Sequence, residues 1–339
     1  MRAERRGSIA VCATLLAVTC VRPGLPSAVG SFSDITILAD HDRAAVGTLR
    51  TTLSQPVTLA GEPEPLFDVE TLFDFDARAR TARTLVVVAT IDGASPASRC
   101  SRRLLGEARC EALRARGAGR FEMVDVYARG QQVIVVAAVR DRGVDSLAAA
   151  DAAAMRDDIE RSALGRCRSE LLAADAGEPR AAELWSAHGF TLRVPATYAT
   201  QPASGAWPNA VELLRSAPTR ALTVFWIDGA DSAQATDADF AAGLQRDVLW
   251  RLHGDTLVEE LTRIDTLPWG PFEALRLRGV WQNSSDIGGG PLVTFLVHDS
   301  QRQRLYGVQC QLYAPGIPKR GWMRELEALA STFRIAEGG

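Results

Sequence analysis

The sequence predicts an α+β fold, mainly antiparallel sheets with helices packed on them. Three observations predict it. Strand-like runs follow one another through the second half with few intervening helices, which favours antiparallel pairing. Apolar residues at helical spacing are confined to separate stretches between such runs. No Gly-x-Gly-x-x-Gly follows any strand, which disfavours a parallel nucleotide-binding sheet.

The elements follow in order. Residues 35–39 are a short apolar run before a helical pattern starting near Asp42, and 85–91 is β-branched enough for a buried strand. A helix is predicted over 97–113. Strands over 121–128 and 132–139 flank Arg129-Gly130, a hairpin turn. A long Ala-rich helix over 145–174 carries an apolar stripe through Leu147, Met155, Ile159 and Leu171. The stretch 175–179 (DAGEP) then breaks the pattern, separating an N-terminal α/β lobe (34–175) from a C-terminal α+β lobe (180–336). In the second lobe, strands are predicted at 190–194, 222–227, 257–264, 272–281, 292–298 and 304–313, with helices over 238–252 and 320–332. Residues 88–94 and 224–230 both end in Ile-Asp-Gly-Ala before a helix. That match implies either two related lobes or a repeated strand-exit turn, since Asp-Gly suits such an exit.

The amino terminus reads as an export signal, with three arginines, then an apolar run, then Cys20. As a helix, residues 9–21 would reach only about 20 Å, short of the roughly 30 Å hydrocarbon core. Two cleavage readings stand. Residues 16–20 (LAVTC) resemble a lipobox, making 1–19 the signal, Cys20 the acylated first residue and 20–33 a linker. Alternatively, signal peptidase cuts after Ala28-Val29-Gly30 and leaves a soluble periplasmic or secreted protein.

Composition excludes several classes. The 339 residues are 47% hydrophobic and 23% charged, enough apolar material for one large domain or two of about 150 residues. Without residues 1–19, which hold Arg2, Arg5, Arg6 and Glu4, basic residues number 35 and acidic ones 40, a net charge of −5. Nucleic acid, met by clustered positive charge, is therefore not an expected partner. Lys319 is the sole lysine, so no phosphate loop ending in Gly-Lys-Ser/Thr exists. No cofactor is implied. The four histidines, His41, His188, His253 and His298, are scattered without His-x-His or His-Glu-x-x-His spacing, and no Cys-x-x-Cys occurs, so no metal site is expected. Export would permit disulfides among Cys100, Cys110, Cys167 and Cys310, though Cys100 and Cys110, about 15 Å apart on one helix, could not bond each other. Cys167 shares an apolar face with Met155, Ile159 and Ala163, as a small buried hydrophobe would.

Several segments together resemble a known family. They are Pro26 to Gly30 running into DITILAD at 34–40, GEPEPLFDVETL at 61–72, YARGQQVIVVAA from Tyr127, RLRGVWQN from Arg276, GGGPLVTF from Gly288, and YAPGIPKRGWMRELEALASTFRI from Tyr313. The chain is similar, over nearly its whole mature length, to bacterial lipoproteins grouped as domain of unknown function 4837. The resemblance implies an acylated cysteine where Cys20 stands and supplies no catalytic residue. Val21 and Arg22 carry no aspartate at the second position, so an outer-membrane destination facing the periplasm is expected, with the membrane met through the lipid anchor.

Candidate residues follow from local chemistry. Gly288, Gly289 and Gly290 could present amides to an anion or simply connect a hairpin. Trp207 and Trp269, beside Pro or Gly in predicted loops, are ligand candidates, whereas Trp226, Trp250, Trp281 and Trp322 lie in regular elements where core packing is the default. Lys319, Arg320 and Arg324 open the last helix, where acids are favoured; they either clasp an acidic group of a neighbouring sheet or meet an anion or partner. The acidic stretch from Glu62 to Asp76 lacks the order of a calcium loop and reads as solvated surface. Ser284 or Ser285, Asp286 and His298 could compose a hydrolytic set. The expectation is a non-enzymatic envelope protein that binds an envelope protein or small ligand, between the lobes or along the second sheet. The alternative is a periplasm-facing hydrolase with an unidentified nucleophile.

Overall fold

A computed structural model describes residues 24–173, 178–201, 207–283, 285 and 287–335. The signal segment and Cys20 fall outside them, as do Ser284 and Asp286. Seven α-helices and seventeen strands form among the described residues, most strands pairing antiparallel, so the fold is α+β. No described helix is long and apolar enough to cross a membrane.

The first lobe runs β1 (Asp34–Ala39), α1 (Ala44–Leu53), β2 (Pro56–Leu59), β3 (Glu62–Pro65), β4 (Asp68–Leu72), α2 (Ala77–Thr81), β5 (Thr84–Thr90), α3 (Pro96–Arg116), β6 (Ala118–Val124), β7 (Gln132–Ala138) and α4 (Asp141–Ala173). Its five-stranded sheet has the order β4-β1-β5-β7-β6, in which only β6 is antiparallel to its neighbour. The parallel pairing explains the unbroken apolar runs TLVVVAT and QVIVVAA, because both faces are covered. On one face Ile35, Ile37, Val86 and Ile134 pack beneath α1 and α4; on the other Leu85, Val87 and Val135 pack beneath α3. The predicted helix over 97–113 is kinked at Gly106, whose φ of 69° leaves the helical region.

The second lobe continues with α5 (Glu178–His188), β8 (Phe190–Thr191), β9 (Ala199–Gln201), β10 (Ala210–Arg215), β11 (Thr219–Asp228), α6 (Ala238–His253), β12 (Asp255–Leu257), β13 (Arg263–Trp269), β14 (Phe272–Asn283), β15 (Gly288–Asp299), β16 (Arg304–Tyr313), α7 (Arg320–Ala330) and β17 (Arg334–Ile335). The order β12-β14-β15-β16-β11-β10-β9, with β13 on β14, is antiparallel throughout. A 3-10 turn at Glu259–Leu261 interrupts the strand predicted over 257–264. The two Ile-Asp-Gly-Ala exits leave strands in unlike settings, β5 between parallel neighbours and β11 between antiparallel ones. Their likeness is one of the strand exit.

Helix α7 joins the lobes, packing on β16 and on α4. It has no side-chain cap of its own. Instead the Glu64 carboxylate of β3 accepts the backbone N–H of Lys319 at 2.8 Å and of Arg320 at 3.0 Å, supplying the anion that a helix start favours. Arg320 pairs with Asp68 at 2.8 Å and donates to Ser33 and to the Pro65 carbonyl, while Arg324 donates to Ser33 and lies 5.1 Å over the Phe67 ring. Part of the acidic stretch is thus the clasp for the basic cluster rather than free surface. On the sheet side, buried Glu325 accepts from Arg220 at 2.7 Å and from Tyr198 at 2.9 Å, and Arg220 stacks 4.5 Å over Trp322.

Candidate functional site

The two faces of the eight-stranded sheet are covered unequally. Residues such as Val224, Phe295, Val308 and Leu312 meet α7 in a continuous apolar core. The opposite face meets α6, which is capped by Asp237 through the N–H groups of Asp239 and Phe240 and stopped by Gly254 in the left-handed region. Sixteen residues of helix reach about 24 Å, whereas the 12-residue strands β14 and β15 reach about 40 Å. One end of the sheet therefore stays uncovered, and a pocket of about 620 Å³ lies there.

Each wall follows from strand alternation. Ala221 of β11 and Gln311 of β16 line its sheet side, with Glu212 and Leu214 from β10 on one flank and Trp281 and Asn283 from β14 on the other. His253 and Asp255, on either side of the Gly254 turn, close the end nearest α6, and Tyr313 lies at the rim, 6.2 Å from the Trp281 ring. Trp281 is held by its indole N–H, which donates to the Leu312 carbonyl at 3.2 Å. A Cβ at Gly290 would sit 2.0 Å from that carbonyl oxygen, so only glycine permits the approach.

A buried polar chain runs from beneath α6 into the pocket. Thr294 donates to Gln245 at 2.6 Å, Gln245 to Gln309 at 2.6 Å, Gln309 to Gln311 at 2.9 Å, and Gln311 to Asp255 at 2.8 Å. Asn283 donates to the other Asp255 oxygen at 2.8 Å. The amide orientations form one consistent series, every donor directed toward the carboxylate. Asp255 is 3% exposed and has no ion pair among the described residues. Glu212 lies 3.7 Å from His253 Nε2, and that buried nitrogen makes no hydrogen bond among the described residues.

Residues 261–332 match the family model of a domain of unknown function, DUF4837. The DUF4837 match covers β13 to α7 and hence the Trp281, Gly290, Gln311 and Tyr313 side of the pocket; β10, β11 and α6 lie outside it. It is narrower than the resemblance read along the sequence. No curated protein matches the chain. Among solved structures, one from Bacteroides thetaiotaomicron has 9% identity and TM-score 0.30, covering 44% of this chain and 46% of that one, so the chain spans under half of that protein's length. The Ran-binding protein Mog1p of Saccharomyces cerevisiae has 12% identity and TM-score 0.31 over 44% and 91% of the two chains. LpqN of Mycobacterium tuberculosis, involved in cell envelope biogenesis, has 14% identity and TM-score 0.30 over 44% and 83%.

Of the residues singled out from the sequence, Gly288 lines the pocket. Gly288, Gly289 and Gly290 are strand residues paired with Asn283, Gln282 and Trp281, so this run is the start of β15 rather than an amide nest. Trp269 is a correction: it ends β13 in the core, stacked 4.5 Å from Phe295 and 6.0 Å from Phe333. Trp207 is half-buried, edge-on to Phe225 and under the Arg251 guanidinium, at the edge of the α6 core. Lys319, Arg320 and Arg324 lie at the lobe junction, Arg320 and Arg324 engaged as described. Ser285 precedes the start of β15 and His298 is its penultimate residue, about 33 Å of strand away, with His298 Nε2 2.9 Å from the Ala230 carbonyl, so Ser285 and His298 do not meet; Ser284 and Asp286 lie outside the described residues.

Cys100, Cys110, Cys167 and Cys310 are free and buried among the described residues. Burial pushes the Cys100 thiol up and that of Cys167 to about 12, which leaves them protonated and poor nucleophiles. No group of three or more metal-ligating side chains converges among the described residues. Sequence reading missed Glu212, His253, Asp255 and Gln311. One signal was present: Gln309 and Gln311 alternate with Val308, Cys310 and Leu312, a polar face inside an otherwise buried strand.

Proposed function

We propose that the chain is an exported envelope protein, anchored through Cys20, that captures a small ligand in the pocket beyond α6 without transforming it. The observation that carries the binding reading is Asp255: a buried carboxylate, fixed by two amide donors and without a cation among the described residues, placed on a pocket wall. Burying a charge without a counter-ion is costly, so its placement at an opening calls for a function. The volume falls in the range of small-molecule sites, which combine apolar walls with a few fixed polar groups.

The anchor has separate support. Ala28 is buried, its N–H bonds the Arg129 carbonyl at 2.9 Å, and Val29 bonds the Thr81 carbonyl at 2.7 Å. Cleavage after Gly30 would discard this docked segment, whereas a chain starting at Cys20 keeps it.

Two measurements test the proposal. Intact mass of the membrane-extracted protein should show an acylated Cys20 terminus, absent in Cys20→Ala; a plain terminus at Ser31 overturns the anchor. A small-molecule extract of the envelope should raise the Tm of the wild type and not of Leu214→Trp, whose larger side chain would fill the pocket; equal shifts overturn the binding site.

A further inference from the structure

We infer that the ligand of this pocket is an organic cation, an amine or quaternary ammonium group on a small molecule. The inference rests on the binding reading above and names the chemistry that site selects. Two carboxylates, Glu212 and Asp255, line one pocket, and neither lysine nor arginine lines it. The sole ion pair either forms among the described residues is the 3.7 Å approach of Glu212 to His253. Fixed negative charge within low-dielectric walls concentrates cations and repels anions.

The polar chain adds direction to that charge. Four side-chain donors in series end on Asp255, so the buried network turns its donors toward this carboxyl group and its acceptors away from it. A carboxylate accepts at about four sites, and the two amides occupy two, which leaves capacity on the pocket side. Trp281 on the β14 flank and Tyr313 at the rim add aromatic rings to the pocket lining, and such rings attract an ammonium group through the ring quadrupole. A bare metal ion fits less well, since no convergent set of three ligating side chains is present among the described residues.

The test uses the full chain labelled with 5-fluorotryptophan, the Trp281 resonance being assigned by Trp281→Phe. Choline and spermidine are titrated at low salt, and 3,3-dimethyl-1-butanol serves as the uncharged isostere of choline. The expected result is a saturable shift of the Trp281 resonance by at least one of the cations and at least about tenfold weaker binding of the isostere, with about tenfold weakening in Glu212→Gln. Asp255→Asn should abolish binding; where that variant fails to fold, Glu212→Gln carries the test. A neutral compound that shifts Trp281 while neither cation does overturns the inference and leaves the pocket standing. If cations and neutral envelope compounds alike leave Trp281 unmoved, both readings fall.

Discussion

Gln311 donates its side-chain amide to Asp255 at 2.8 Å, closing a series of amides whose donors all point toward one buried carboxylate. The relationship ties the core of the second lobe to its pocket. Beneath α6 the sheet face is apolar around Phe225, Leu296 and Leu305, and it becomes polar where the series begins. Polar groups in such a place are tolerated only when each finds a partner, so the series is both a stability element and the wall of the site.

Gln311→Met keeps the volume and removes both functions of the amide. Gln309 then loses an acceptor and Asp255 a donor. Urea unfolding should show a loss of about 1–3 kcal/mol, with the fold retained. A change within a few tenths would mean that water replaces the amide.

The ion pair on the other face should respond more strongly. Arg220 is 1% exposed and faces Glu325 at 2.7 Å; burial and the charge of Glu325 push the Tyr198 phenol up, so it donates as a neutral hydroxyl. Glu325→Gln leaves a buried guanidinium without its charge partner, at a cost of about 3–5 kcal/mol by equilibrium denaturation.

Glu64→Ala addresses the lobe junction. It removes the acceptor of the Lys319 and Arg320 amides and should cost about 0.5–2 kcal/mol, as loss of a helix cap does. Hydrogen exchange should quicken at these amides first. Uniformly quickened exchange through both lobes would place the effect elsewhere.

Glu327 gives the chain a pH dependence. Burial, with the neighbouring charge of Glu160, raises its carboxyl from 4.5 to about 7 against the opposing pull of Arg276, Arg324 and Arg278. A folded-state value above the unfolded one means that the native state holds the proton more tightly. The stabilisation is therefore complete below about pH 4.5 and is lost as pH rises to about 7, by up to about 3 kcal/mol and less where water reaches this partly exposed side chain. Glu327→Gln should flatten that part of the stability profile.

Much of the fold was legible because strong local patterns coincide with tertiary packing. Strand β16 spans the predicted 304–313, and α6 and α4 fall within a few residues of their apolar stripes. Strand β10, with Ala-Val-Glu-Leu-Leu-Arg, was missed: Glu212 and Leu214 face the pocket while Leu213 faces the α7 core, so both faces carry leucine and the alternation is blurred. The pocket itself draws on seven strands and a helix end, a convergence that no local window contains. Trp269 misled for the converse reason, because its Pro and Gly neighbours signal a loop while its ring packs on Phe295. The basic cluster could be read as clasp or as partner contact until Glu64 and Asp68, more than 250 residues away in sequence, were seen against it.

The central claim is that the pocket beside Asp255 is where this protein meets its ligand. The most direct measurement is the fluorine spectrum of the 5-fluorotryptophan-labelled chain in the presence of a small-molecule extract of the cell envelope. The account predicts that the Trp281 resonance shifts and saturates, with those of core residues such as Trp269 unchanged. A Trp281 resonance that stays fixed while another tryptophan moves would contradict it and place the binding site elsewhere.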